Sequence, residues 1–84
     1  MYEVYIENSV QRDLKKFPAD DFYRLISHIK KLAENPRPPG CRKIVDSKGD
    51  WRIRIGNYRV IYEINDKEKR INIMRVKRRP KAYL

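Results

Sequence analysis

The stretch WRIRIGNYRVIYEI, residues 51–64, carries three arginines among apolar residues. Arg52, Arg54 and Arg59 have a definite chemical capacity, because guanidinium forks bind phosphate bidentately and stay charged at any physiological pH. They can stabilise negative charge developing on a phosphoryl group. They cannot take up a proton. Acting together requires a shared face. Gly56-Asn57 is a turn signal for a tight hairpin, and closing it there sets Ile55 opposite Tyr58, Arg54 opposite Arg59 and Ile53 opposite Val60. Arg52 then faces Ile61, and Trp51 faces Tyr62. Opposite residues share a face of a sheet. One face is therefore apolar, with Trp51, Ile53, Ile55, Tyr58, Val60 and Tyr62. The other holds all three arginines with Ile61 and Glu63. Like charges directly opposite one another destabilise a sheet, so Arg54 across from Arg59 points to a preorganised anion site. The plain alternative is a solvated basic face whose heads splay into water or pair with Glu63 or Asp50.

Arg75 extends this cluster if residues 65 to 69 form the next loop, which places it beside Arg59. A loop shorter by one residue puts it on the opposite face, because side chains alternate with a period of two. The other chemically capable residues read differently. Trp51 and Tyr62 could stack on bases, but the hairpin assigns them to the core. His28 lies on the shoulder of a helix, two residues after Ile26 and outside its apolar stripe. With a single histidine, a two-histidine ribonuclease mechanism is excluded. Cys41 follows a Pro-Pro-Gly turn and reads as a small, partly buried residue.

The elements that must hold these residues follow from periodicity. YEVYIE, residues 2–7, alternates Tyr2, Val4 and Ile6 against Glu3, Tyr5 and Glu7, which predicts a strand. Asn8 or Ser9 can cap a helix whose apolar positions are Val10, Leu14 and Phe17, and Pro18 breaks it. A longer helix starts near Ala19 or Asp20, with a stripe of Phe22, Leu25, Ile26, Ile29, Leu32 and Ala33. NPRPPG ends it. The strands RKIVD (42–46), WRIRI (51–55), YRVIYEI (58–64) and RINIMRV (70–76) follow, separated by turn-rich segments. The order β-α-α-β-β-β-β predicts a single α+β domain over residues 1–84, with a helical hairpin on one face of a mostly antiparallel sheet.

Composition narrows the partners. The chain has 84 residues and a net charge of +10, from 21 Lys plus Arg against 11 Asp plus Glu. A chain this short buries only about 60% of its unfolded surface, so a site should be a shallow groove. The charge balance favours polyanions: RNA, DNA, an anionic membrane or an acidic protein. One cysteine forms no internal disulfide, and with one histidine it makes no zinc site. The sequence has no signal peptide and no apolar run long enough to span a bilayer. The expectation is a cytoplasmic protein with no metal, no cofactor and no membrane association.

GNYRVIYEI resembles the G-Y-R-V-I-Y strand of the RelE/ParE toxin superfamily. LAENPRPPGCRKI before it, the WRIRI strand and the closing RVKRRPKAY fit the same pattern in the same order, so the resemblance spans almost the whole chain. It implies a RelE-like, microbial RNase-type fold and the toxin of a type II toxin–antitoxin pair. RelE-like members enter the ribosomal A site and cleave the mRNA being translated. ParE-like members share the fold, lack the ribonuclease residues and poison DNA gyrase. Basic residues, often lysines, precede the G-Y-R motif in the ribonucleases, and here Arg52 and Arg54 match them. Arg59 matches the arginine of the motif. Arg78 and Arg79 match a basic group after the last strand, with an alignment that shifts by one residue, and Tyr83 matches an aromatic residue near the C-terminus. These matches favour the RelE-like mRNA interferase branch.

The resemblance implies a metal-independent endoribonuclease in which the 2′-OH attacks the adjacent phosphate and leaves a 2′,3′-cyclic phosphate. Arg59, Arg52 and Arg54 suit stabilisation of the phosphorane, and Arg78 or Arg79 the leaving oxygen. Arginines at 52 and 54 remove two candidate bases. That leaves Tyr83, whose phenolate cationic neighbours favour, with Lys81 or Lys77 as substitutes. Lys43, Arg75, Lys77, Arg78 and Lys81 are the expected RNA contacts. The implied partners are the ribosome, mRNA and a RelB-like antitoxin that folds on binding and forms a hetero-oligomer with the toxin. Two alternatives stay open: a ParE-like gyrase inhibitor, and a non-catalytic RNA- or ribosome-binding module.

Overall fold

The apolar period changes from helical to alternating at NPRPPG, and the architecture changes with it. The computed structural model describes residues 1–79. Its elements are β1 (Glu3–Ile6), α1 (Asn8–Lys15), α2 (Ala19–Lys31), β2 (Arg42–Lys43), β3 (Asp50–Ile55), β4 (Tyr58–Asn65) and β5 (Arg70–Arg78). The strands form one sheet in the order β1-β5-β4-β3-β2. β1 runs parallel to β5, and every other pair is antiparallel. The α+β reading and the order of elements hold.

Local details differ. Asn8 and Ser9 lie inside α1, whose N-cap is Glu7 with no side-chain capping bond. Phe17 falls beyond the end of α1, and its ring packs 4.7 Å from that of Tyr58. Pro18 stands at the N-cap of α2, where its missing N–H costs nothing. β2 is two residues long, not five. After Lys43 the Ser47 hydroxyl donates to the Ile44 carbonyl and accepts from the Asp50 N–H, and Asp46 takes a positive φ of 67°. Those bonds serve the loop backbone locally instead of through a ladder.

One apolar layer unites the elements. Val10 and Leu14 of α1, Leu25 and Ile29 of α2, and Leu32 pack on Ile53, Ile55, Val60, Tyr62, Ile64, Ile71, Ile73 and Val76. No polar or charged side chain is buried among the described residues. Tyr62 is fully buried with its hydroxyl donating to the Pro36 carbonyl at 2.8 Å, as its core assignment requires. Burial pushes that phenol's pKa up, with a smaller contribution from Cys41. The turn at Gly56-Asn57 has positive φ only at Gly56 (59°), the type II′ pattern.

The β3–β4 register is the expected one, from Ile55 opposite Tyr58 to Trp51 opposite Tyr62. β4 and β5 are less regular. Asn65 pairs with Arg70, so the intervening loop is residues 66–69, one shorter than the loop that keeps Arg75 beside Arg59. That register alone would turn Arg75 toward the core. A bulge prevents it: Tyr62 pairs with Ile73 but Ile61 with Arg75, leaving Met74 as the extra residue. The buried positions accordingly step from Ile71 and Ile73 to Val76, and Arg75 and Lys77 emerge on the outer face.

The edges are tied by a polar hub. Arg37 pairs with Asp66 at 2.8 Å, Tyr2 donates its hydroxyl to the same carboxylate, and the Arg37 guanidinium lies 5.0 Å from the centre of the Trp51 ring. The Arg37 and Tyr2 hydrogen bonds hold the Asp66 carboxyl down at about 2, against about 3.9 for an unperturbed aspartate. A depressed folded-state pKa contributes stability that is present above the unfolded value and lost as pH falls through the folded one. Urea unfolding of wild type and Asp66→Asn should therefore show a constant wild-type advantage from neutral pH to about 5. That advantage should shrink below pH 4 and vanish near pH 2.

Candidate functional site

Two rows of basic residues cross the outer face of the sheet. Arg54 on β3, Arg59 on β4 and Lys77 on β5 are direct cross-strand neighbours. The next row contains Arg42 on β2, Arg52 on β3, Ile61 on β4 and Arg75 on β5. Neighbouring strands lie about 4.8 Å apart, and the rows are separated by two residues, about 6.7 Å. Ile61 is the one uncharged side chain of the two rows, and its half-buried surface gives the cluster an apolar floor.

A groove of about 380 Å³ opens along this face, lined by Arg54, Arg59, Arg75, Lys77, Arg78 and Arg79, with Tyr58 and Ile61 between them. A second depression of about 400 Å³ continues toward the β2 edge, past Arg52 and Arg42 to Pro39 and Gly40, and shares Arg54 with the first. No carboxylate lines either one. Among the described residues, the ion pairs are Arg37–Asp66 and Arg70–Glu68, both outside the grooves. Glu63 and Asp50 pair with none of the arginines; they face each other one row further along β4 and β3. The basic face is therefore uncompensated by acidic side chains among the described residues.

Such crowding has a cost. Two unit charges 4 Å apart repel by about 1 kcal/mol in water and by more where water is partly excluded. Phosphate groups in the groove remove that repulsion and accept several guanidinium hydrogen bonds at once. The arrangement can hold consecutive phosphates of a polyanion and stabilise a further charge on one of them.

The end of β5 is anchored at the hairpin turn, where the Arg79 N–H donates to the Asn57 carbonyl. Arg78 pairs with Tyr58, whose hydroxyl donates to Asp21 at 2.7 Å. Burial raises the Tyr58 pKa and the Asp21 hydrogen bond adds to it, while the Arg78 charge works in the other direction. Tyr58 is thus held as a phenol with its proton directed at Asp21.

The structure brings together Arg52, Arg54, Arg59, Arg75, Lys77, Arg78 and Arg79 of the expected residues. Lys43 is a correction. It pairs with Trp51 and so occupies the helix-side face, while its neighbour Arg42 takes the place on the basic face. Sequence reasoning missed Arg42 because the irregular segment between β2 and β3 hides their register. The position of Lys77 opposite Arg59 did leave a signal, the break in alternation between Ile73 and Val76. Lys81 and Tyr83 lie outside the described residues. His28 is exposed on α2, with Nδ1 2.9 Å from the Arg24 carbonyl, in the helical layer and away from the groove.

Comparison with known proteins finds relatives that span almost the whole chain. Residues 4–83 match the family model described as the ParE toxin of the type II toxin–antitoxin system parDE. A RelE protein of Methanocaldococcus jannaschii is 33% identical over 85 residues, covering 98% of this chain and 94% of the relative. Toxin RelE of Mycobacterium tuberculosis is 31% identical over 83 residues, covering 98% and 86%. The crystal structure of the archaeal RelE–RelB complex from Pyrococcus horikoshii superposes with a TM-score of 0.85 at 31% identity, covering 96% of this chain and 98% of that one.

Replacing one partner of the opposed Arg54 and Arg59 should separate stability from binding. Arg54→Glu places a carboxylate across from Arg59 and should raise unfolding stability by about 0.5–1 kcal/mol at low salt. The gain should fade at high salt through screening. The same variant should bind polyanions more weakly than wild type in a salt titration.

Proposed function

The chain belongs to the RelE/ParE toxin superfamily, on its RelE-like side, and from that membership we propose that it inhibits translation by cleaving mRNA in the ribosomal A site. The observation that carries this reading is the pair of cross-strand basic rows, open to solvent and free of acidic side chains. A nuclease that works through its substrate's own 2′-OH needs charge stabilisation and two proton transfers, and no metal.

In the reaction the 2′-oxygen forms a bond to the adjacent phosphorus, the bond from phosphorus to the 5′-oxygen breaks, and a 2′,3′-cyclic phosphate results. A base takes the proton of the 2′-OH, and an acid returns one to the departing 5′-oxygen. Arg59, Arg54 and Arg52 stabilise the added charge on the phosphorane. Arg79 and Arg78, at the end of the groove, hold the leaving oxygen or a neighbouring phosphate. Arginine supports neither proton transfer, because it does not give up its proton. Among the groove residues Lys77, directly opposite Arg59, is of a type that can exchange one, whereas the Tyr58 hydroxyl is committed to Asp21. Tyr83 is the family's counterpart for the same task. With so few proton-transfer groups, cleavage is weak until the ribosome positions the 2′-OH in line for attack.

The partner that silences such a toxin is a RelB-like antitoxin, by the resemblance to the RelE–RelB complexes of P. horikoshii and M. tuberculosis. A net charge of +10 favours an acidic or amphipathic segment that orders as it covers the basic face. The ParE description of the matching family model supports one second reading, inhibition of DNA gyrase. The basic residues at 52, 54 and 59, which match the basic positions of the RelE-like ribonucleases, favour the ribonuclease.

Primer extension on a defined mRNA in a purified translation system separates these readings. Wild type should create new 5′ ends within A-site codons only when ribosomes are present. Arg59→Ala should lower cleavage by about 100-fold or more. Lys77→Arg keeps the charge but not the proton exchange, so it should retain ribosome binding and lose cleavage. Intact mRNA with normal protein synthesis would sink the ribonuclease and turn the search to gyrase. Intact mRNA with stalled synthesis would mean occupation of the ribosome without cutting.

A further inference from the structure

The outer face continues past the arginine rows, and its chemistry changes there. The next row places Asp50 opposite Glu63, Glu63 opposite Asn72, and Asn72 opposite Tyr5 on β1. Tyr5, Glu63, Asn72 and Arg70 line a shallow depression of about 490 Å³. Tyr5 is 46% exposed, an unusual position for an aromatic side chain on a strand. Two contacts orient its ring: the hydroxyl donates to Glu3 at 3.0 Å, and the Arg70 guanidinium stands 5.2 Å from its centre. The Asn72 amide is oriented by donating to Glu7 at 2.9 Å. Asn72 Oδ1 and the Glu63 carboxylate have no hydrogen-bond donor among the described residues. The depression thus combines an aromatic–guanidinium platform with two outward acceptors.

That combination suits a flat ring with amino donors better than a phosphate. Glu63 and Asp50 repel an anion, while Tyr5 and Arg70 offer the stacking surface that single-stranded bases use. Glu63 lies four residues along β4 from Arg59, about 13 Å away, a span that extended nucleotides bridge. We infer that this depression takes a nucleobase of the RNA strand whose phosphates lie on the arginine rows, and that it selects bases carrying an exocyclic amino group over uracil. The inference rests on reading the basic groove as an RNA site. Cytosine and adenine each present an amino donor to the Glu63 carboxylate or Asn72 Oδ1, whereas the N3–H donor of uracil is flanked by two carbonyl oxygens that these acceptors repel. The site is a specificity determinant, separate from the groups that act on the phosphate.

Equilibrium binding of short A-, C- and U-homopolymers of equal length to the full chain tests this. Wild type should bind the A and C runs about tenfold tighter than the U run. Glu63→Gln, which can donate to a uracil carbonyl, should bring the three within about twofold of one another. Tyr5→Ala should weaken all three by about tenfold and leave the salt dependence unchanged. Arg59→Ala should weaken all three equally and flatten the salt dependence. Equal affinity for the three runs in wild type, or a preference that survives Glu63→Gln, overturns the base subsite while an effect of Arg59→Ala upholds the groove. Failure of wild type to bind any run, or indifference to Arg59→Ala, removes the RNA groove and the subsite with it.

Discussion

The buried face of the β3–β4–β5 sheet admits no charge, and the chemistry of the opposite face follows from that. Val60, Tyr62, Ile71 and Ile73 are completely enclosed between sheet and helices. Strand side chains alternate, with one reversal at Met74, so every charged residue on these strands before Arg78 is delivered to the other side. Burying an unpaired guanidinium costs several kcal/mol. Crowding solvated guanidiniums costs about 1 kcal/mol per close pair. The fold accepts the smaller penalty, and an ordered array of cations at sheet spacing is the result. Such an array needs no rearrangement to receive a string of phosphates.

The bulge at Met74 extends this logic to the last strand. Residues 66–69 are too few to bring Arg75 and Lys77 out on the basic side by themselves. One unpaired residue reverses the alternation midway along β5, so Ile71 and Ile73 serve the core before it and Val76 after it. Without that reversal Lys77 would point into the helices, and the Arg54–Arg59 row would end at β4. The polar hub of Tyr2, Arg37 and Asp66 acts at the other end of the molecule. It joins the N-terminal segment, the proline-rich loop and the β4–β5 loop, away from the grooves, and engages Asp66 with Arg37 and Tyr2 instead of with the groove arginines.

The site is chemically lopsided. It is rich in groups that stabilise charge and poor in groups that move protons, since the strand before the hairpin turn carries arginine at both 52 and 54. Under the proposed function, that imbalance is a reason for dependence on the ribosome: substrate placement by a larger machine substitutes for part of what the side chains lack. The cationic sheet has the chemistry of a polyanion surface, and under the inferred base subsite the acidic, aromatic row beyond it adds selectivity.

Much of this was already present in the amino-acid order. The Gly56-Asn57 turn and the clean alternation on either side of it determined the β3–β4 register, and with it the common face of Arg52, Arg54 and Arg59. Both helices and their buried positions Val10, Leu14, Leu25 and Ile29 followed from apolar spacing, and the family from motifs spread along the chain. These are local properties, decided within a turn or a few residues of helix. What lay between distant strands was not determined this way. The exchange of Lys43 for Arg42, the emergence of Arg75 and Lys77 through a bulge, and the meeting of Tyr5 with Glu63 and Asn72 all depend on pairing across irregular loops or between the two ends of the chain. A shift of one residue in such a pairing reverses every side chain on the strand, and only the packing of the whole sheet against its helices selects among the registers.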